Sequence, residues 1–449
     1  MRTSNKFKRI LLPLLVAIFF MAGVFAMRFL LTDATGTEIL RYGLSQIDAA
    51  GEDVDMLMIG GSRTYRSLDP DIFEEELGLT NAINQGTPSQ RPLLSYYLLE
   101  SFLKKYHPKY LILGATYNGL TFSQDPHTLY YAIDRLDLES RFKCAIDHFG
   151  INDGLLTLAG KSEYMDNMSI SSMINNVKSK ITRSNGIDDI QNSVLKDNGY
   201  KGSLYQCTPG SITFEYDKPN RDFSTDLIKE EAFEYYDKIV KTCQAQGVEV
   251  ILFSGPCSMR NIYGIPNYQQ ATDFYTEYAE KNGIKYFNLN YIKNREELFS
   301  DDMFEDYMHL NYYGSQKCSK LFAKILKEHL NGENTDHYFY KNVDELKSDV
   351  NRIVSCACKV TCDNDFYLIQ CKTLHNEGIQ PEYRLLATKD NDEGTQPKEY
   401  VDLRGWDYAD SFKIPCEELD EYLNIKVEAR INDNDNNCAF TTCYLRDVK

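Results

Sequence analysis

The run Val54-Asp55-Met56-Leu57-Met58-Ile59, stopped by Gly60-Gly61, restricts the folds open to this chain more than any other feature. It is too short for a core helix, and its consecutive apolar residues do not alternate as in a strand wetted on one face. It reads as a strand buried on both faces and delivered into a tight loop. Similar short runs follow at Asn81–Asn84, Tyr110–Gly114, Val248–Phe253 and Lys285–Leu289. Helical patterns lie between them. One opens with Asp69 as N-cap and Pro70 at the first helical position. Others cover Pro92–Lys105, Asp226–Gln246 with Gly247 as its stop, and Gln316–Leu330. Strands alternating with helices predict an α/β fold, a parallel sheet covered on both faces, over residues 53–332. Residues 121–220 lack strong strands and read as a helical insertion between the third and fourth strands.

After Gly332 the pattern changes. Arg352–Thr361, Phe366–Cys371, Tyr383–Ala387, Ile425–Ile431 and Ala439–Leu445 are short β-rich runs, separated by polar clusters such as Lys389-Asp390-Asn391-Asp392. This predicts a small antiparallel β-sandwich over residues 338–449.

At the other end, Lys6, Lys8 and Arg9 precede an uncharged stretch of 18 residues, Ile10 to Met27. A helix needs about 20 apolar residues to cross a bilayer core. The expectation is a single-pass membrane anchor within residues 1–31, with its basic flank in the cytoplasm and the rest of the chain outside. Residues 32–52 then form a stalk. The competing reading is a signal peptide cut after Val24-Phe25-Ala26, but its apolar region is longer than signal peptides use. Both readings export the protein.

The 449 residues carry 49 Lys and Arg against 66 Asp and Glu, a net charge of -17. Such a surface repels phosphate backbones, so no nucleic-acid partner is expected. Five cysteines fall in the large domain (Cys144, Cys207, Cys243, Cys257, Cys318). Seven follow it (Cys356, Cys358, Cys362, Cys371, Cys416, Cys438, Cys443). Both counts are odd, so either one bridge crosses domains or some thiols stay free. With no CxxC pair or Cys/His cluster, no metal and no cofactor is expected.

The chemistry-bearing residues stand at strand ends, where open parallel sheets bind ligands. Ser62 follows the first strand, Gly86 the second, and Gly114-Ala115-Thr116-Tyr117-Asn118 the third. Asp306-Tyr307-Met308-His309 lies between the fifth strand and the last helix. A serine hydroxyl needs a base, and an imidazole held by a carboxylate supplies one. The three-residue spacing lets Asp306 reach one ring nitrogen of His309 while the other faces outward. Backbone N–H groups of Ser62 and Gly86 and the amide of Asn118 are available for an oxyanion. Each residue also has a plain structural reading. Ser62 and Asp306 could be caps, His309 could pack under Leu310, Gly86 could serve a positive φ, and Asn118 could serve a turn.

In these blocks, Gly60-Gly61-Ser62, Asn84-Gln85-Gly86, Asn118 and Asp306-x-x-His309, the chain resembles the SGNH/GDSL hydrolases over residues 53–332. It looks most similar to the membrane-anchored bacterial branch that includes D-alanyl transfer and alginate acetylation proteins. Gly255-Pro256 and Leu310-Asn311-x-x-Gly314 add to that likeness. The resemblance implies a flavodoxin-like sheet and a triad of Ser62, His309 and Asp306, with oxyanion donors at Ser62, Gly86 and Asn118. The chain departs from the pattern in having Gly-Gly-Ser for Gly-Asp-Ser, and two extra residues before Asn118. Thr116, Tyr117 or two backbone amides alone are therefore alternative donors. The implied function is an outward-facing esterase or O-acyltransferase on cell-envelope glycans, with an integral membrane acyl-exporting partner. The rival from another class is a non-catalytic surface scaffold or glycan-binding protein. The insertion, with Tyr130, Tyr131, Tyr164, Tyr200 and Tyr205, is expected to wall the cleft above Ser62.

Overall fold

The computed structural model describes residues 53–133, 136–158, 214–218, 223–363, 365–389, 399–431 and 439–445, with isolated residues between 11 and 30 and between 170 and 178. The anchor and stalk expected at residues 1–52 fall mostly outside this set. Of the stretch from 10 to 27, residues such as Leu12, Val16 and Phe19 are described, and they are helical and exposed. Among the described residues no helix is long and apolar enough to cross a membrane. Of the tyrosines named in the insertion, Tyr164, Tyr200 and Tyr205 also lie outside.

Five parallel strands form the central sheet: β1 (Met56–Ile59), β2 (Ala82–Asn84), β3 (Tyr110–Gly114), β4 (Glu249–Ser254) and β5 (Lys285–Asn288). Their order is β2-β1-β3-β4-β5, the flavodoxin-like arrangement. Leu57 sits opposite Ile83 on one side and Leu111 on the other. Alternate residues feed opposite faces, as pleating demands. Leu57, Ile59, Leu111, Leu113, Val250 and Leu252 meet helices α3 (Pro92–Leu103), α7 (Glu230–Ala245) and α9 (Tyr268–Asn282). Met56, Met58, Ile112, Ile251 and Phe253 meet α2 (Pro70–Leu77) and α10 (Tyr312–Leu330). Phe322 of α10 is the keystone of that second face. It stacks on Phe253 at 4.7 Å and meets Phe287 at 5.4 Å and Phe73 at 5.9 Å. Truncating it to Ala would cost about 3–5 kcal/mol.

The helix signals operate as physical caps. The Asp69 carboxylate accepts from Asp71 N at 3.1 Å, and Gly247 ends α7 with φ +73°. Helix α10 starts at Tyr312, four residues before the expected Gln316, because Asn311 caps it by accepting from Gly314 N at 3.1 Å. Other described large-domain helices include α1 (Ser62–Tyr65), α4 (Tyr117–Thr121), α5 (Pro126–Ala132), α6 (Leu138–Leu158) and α8 (Met259–Tyr263), and a further turn of helix covers Arg295–Leu298.

The C-terminal residues form two antiparallel sheets packed face to face. One has the order β10-β7-β6 and the other β12-β11-β8-β9. Their strands are β6 (Ser355–Cys362), β7 (Phe366–Leu374), β8 (Glu382–Thr388), β9 (Val401–Asp407), β10 (Ser411–Pro415), β11 (Asn424–Arg430) and β12 (Ala439–Tyr444). Strands β9 and β10 are additional to the five runs seen in the sequence. Ile369, Leu385, Ile414, Ile425 and Val427 fill the space between the sheets.

Candidate active site

The doubly wound order puts its switch point between β1 and β3, because the chain leaves β1 for β2 on one side and returns to β3 on the other. Ser62 is delivered there, three residues past β1 at the first position of α1. The approach is tight. A Cβ on Gly60 would lie 2.2 Å from Thr64 Oγ1 and 3.0 Å from Gly114 Cα, and a Cβ on Gly114 would lie 2.4 Å from the same hydroxyl. Thr64 therefore wedges between two strand ends that only glycine can form, and this seats α1 against the sheet. Asn84 ties in the neighbouring strand by donating to Thr64 O (3.3 Å) and Leu68 O (3.1 Å).

Ser62 Oγ lies 2.6 Å from His309 Nε2, and His309 Nδ1 lies 2.8 Å from Asp306 Oδ2. The other Asp306 oxygen accepts from the amides of Met308 (2.7 Å) and His309 (2.9 Å). The carboxylate thus fixes both the turn and the ring. Burial pushes the Asp306 carboxyl up, but the His309 ring and the two amides outweigh it, leaving it below the usual aspartate value. Glu305 lies behind, its carboxylate 3.9 Å from His309 Nδ1 and ion-paired with Arg66. Burial raises the Glu305 carboxyl, with Arg66 and His309 pulling against it. Glu305, Asp306 and His309 gather three potential metal ligands. Here Glu305 is ion-paired with Arg66 and Asp306 meets His309 Nδ1, so each carboxylate already has a partner.

The Tyr307 carbonyl accepts from Ser258 N (3.2 Å) and Ser258 Oγ (2.9 Å), so the β4–α8 loop holds the Asp306–His309 turn from the far side. The Arg260 guanidinium lies 3.9 Å from the centroid of the Tyr307 ring. The Ser62 and Arg63 amides, in the first turn of α1, have no acceptor within their helix. The Gly86 amide donates to Asn84 Oδ1 at 3.0 Å, so a substrate oxygen would share that donor. Asn118 sits in the first turn of α4, half-buried, behind the Thr116 cap whose hydroxyl accepts from Gly119 N (3.2 Å). Tyr117 meets the Phe223 ring edge-on at 5.5 Å.

Sequence reasoning did not single out Thr64, Arg66, Ser258 or Glu305. Arg66 had a legible signal: it stands four residues after Ser62, on the same face of a helix. Thr64 and Ser258 act through packing and a backbone carbonyl, for which the sequence has no signature. Arg63 and Arg260, like Arg91 beside the Gly61 loop, make no ion pair with a carboxylate among the described residues, whereas Arg352, Arg384, Arg404 and Arg430 all do.

No family model matches the chain, and no curated protein matches it. Among solved structures it is similar to a proposed acylhydrolase of Bacteroides fragilis, with 11% identity and a TM-score of 0.31, covering 66% of this chain and 98% of that one. It is also similar to a GDSL-like lipase of Bacteroides thetaiotaomicron (11% identity, TM-score 0.30, 65% of this chain and 98% of that one). A two-domain esterase active on acetylated mannans matches with 12% identity and a TM-score of 0.28, over 90% of this chain and 93% of that one. At these TM-scores nothing about the fold or activity of this chain is drawn from the likeness.

Proposed function

We propose that the chain is a serine esterase or O-acyltransferase acting on acyl esters of cell-envelope glycans outside the cell. The observation that supports it most is the 2.6 Å approach of Ser62 Oγ to His309 Nε2, with Asp306 on the opposite ring nitrogen. Ser62 attacks the ester carbonyl while His309 takes its proton. Asp306 keeps the ring in the tautomer that accepts at Nε2 and stabilises the imidazolium that forms. The tetrahedral oxyanion is met by first-turn amides of α1, with the Gly86 amide and the Asn118 side chain as further donors. His309 returns the proton to the leaving alcohol. Water or a sugar hydroxyl then releases the acyl group from Ser62.

A fluorophosphonate probe tests this reading. It should label Ser62 in the intact chain, and labelling should vanish in His309→Ala. Absence of labelling in a folded chain would sink the proposal and favour a non-catalytic scaffold. Anchoring through residues 10–27, with the site facing outward beside an acyl-exporting membrane partner, belongs to the same proposal. Alkaline washing should leave the full-length chain in the membrane fraction, whereas a mature chain beginning at Met27 would instead establish a cleaved signal.

A further inference from the structure

We propose that Cys362 and Cys416 are a disulfide-forming pair that joins the two edge strands of the smaller C-terminal sheet. Their sulfurs are 3.7 Å apart, although 54 residues separate them in sequence. The strand pairing explains the meeting. Strands β6 and β10 flank β7 on opposite sides, with Cys362 opposite Tyr367 and Pro415 opposite Phe366. Cys416 follows immediately and donates its amide to Asp365 O at 2.9 Å. Both cysteines therefore reach the same end of β7, where the chain turns through Asp363. Both thiols approach the Asp363 carbonyl, at 3.0 Å for Cys362 and 3.7 Å for Cys416.

The exposure of the pair, together with its contact, separates it from the other thiols. Cys362 is exposed and Cys416 partly so, whereas Cys144, Cys243, Cys257 and Cys318 are buried in the large domain. The sulfurs already touch, and a bond of about 2.05 Å requires them to close by roughly 1.7 Å, within reach of side-chain rotation at a strand end. The pair also lies on the rim of the sandwich, where solvent reagents arrive freely. Cys358 and Cys443 are partly exposed like Cys416, but they pack against the apolar core beside the buried Cys371, and neither is as exposed as Cys362.

The chemistry is thiol–disulfide exchange with a small-molecule disulfide such as oxidised glutathione. The thiolate of one cysteine attacks the glutathione disulfide and expels one glutathione thiolate, leaving a mixed disulfide. The second cysteine attacks the protein sulfur of that mixed disulfide and expels the other glutathione. The protein loses two electrons and two protons, and one oxidised glutathione becomes two reduced ones. The product closes a loop containing β7, β8, β9 and β10, so two of the three strands of one sheet and half of the other are confined together.

The test uses the full chain incubated in oxidised glutathione, then alkylated and digested without reduction. The expected result is a mass lower by two hydrogens and a single linked peptide pair joining Cys362 to Cys416. Thermal unfolding of the C-terminal sheets should rise by about 5–10 °C and return with dithiothreitol. Cys362→Ser and Cys416→Ser should each abolish the linked pair and the rise. A link between other cysteines, a persistent glutathione adduct on Cys362 without closure, or loss of two hydrogens that survives in Cys362→Ser would each overturn the assignment. The peptide map of the unmutated chain decides the matter even if a serine variant fails to fold, and it is independent of any activity at Ser62.

Discussion

Replacing Asp306 by Asn alters one end of one side chain and separates orientation from folding. The oxygen that accepts from Met308 N and His309 N at 2.7 and 2.9 Å can remain an oxygen, so the turn keeps two bonds of about 1 kcal/mol each. The other end becomes an NH2 group facing His309 Nδ1, now 2.8 Å from a carboxylate. That contact is satisfied only if Nδ1 accepts, which moves the ring proton to Nε2. His309 then donates to Ser62 Oγ and can no longer take its proton. Loss of the correct tautomer in such triads lowers kcat by about 10³–10⁴, or roughly 4–5.5 kcal/mol. Asp306 is partly exposed, so water can intervene, and the lower end of that range is expected. The assay is the rate of acyl-enzyme formation from 4-nitrophenyl acetate, with circular dichroism as the folding control. A folded Asp306→Asn protein within ten-fold of the parent rate would refute the role given to this carboxylate.

Further outcomes are expected. Arg66→Ala strips the counterion from the nearly buried Glu305 and should destabilise the chain by about 3 kcal/mol near neutral pH. Burial raises the Glu305 carboxyl, so its unfavourable charge appears only as pH rises through the folded value; the melting-temperature gap between variant and parent should be wider at pH 8 than at pH 5. Asp306 has the opposite sign. Its folded value is lowered, so its contribution is present above the ordinary aspartate value and lost as pH falls through the folded one, an acid loss that Asp306→Asn should lack in acid titration. Gly60→Ala should cost about 2–3 kcal/mol by denaturant titration, and Thr64→Ala in that background should recover part of it, because the clash is with Thr64 Oγ1.

The parallel sheet was legible because its strands are continuous apolar runs bounded by glycine, and burial on both faces leaves no other reading of Met56–Ile59. The meeting of Ser62 with His309 was legible for a related reason: residues at carboxyl ends of neighbouring strands share one edge. Strands β9 and β10 were missed for physical reasons. Strand β9 is an edge strand whose register shifts against β8, so its Val401, Leu403 and Trp406 do not keep period two. Strand β10 alternates correctly, with Phe412 and Ile414 inward, but is only five residues long and ends in Pro415. The acceptor of the Gly86 amide was illegible in another sense. Asn84-x-Gly86 announces a turn, but which group a free amide meets is decided by side-chain rotation, not spacing.

Helix α1 presents Ser62 to the imidazole and Arg66, four residues later, to Glu305 of the same loop. A helix advances about 100° per residue, so residues three or four apart share a face, and Arg66, the αR residue that caps α1, uses the four-residue spacing. Insertion of a single residue there would turn Arg66 away whenever Ser62 was in place. Insertions among descendants of this sequence should therefore be absent between positions 62 and 66.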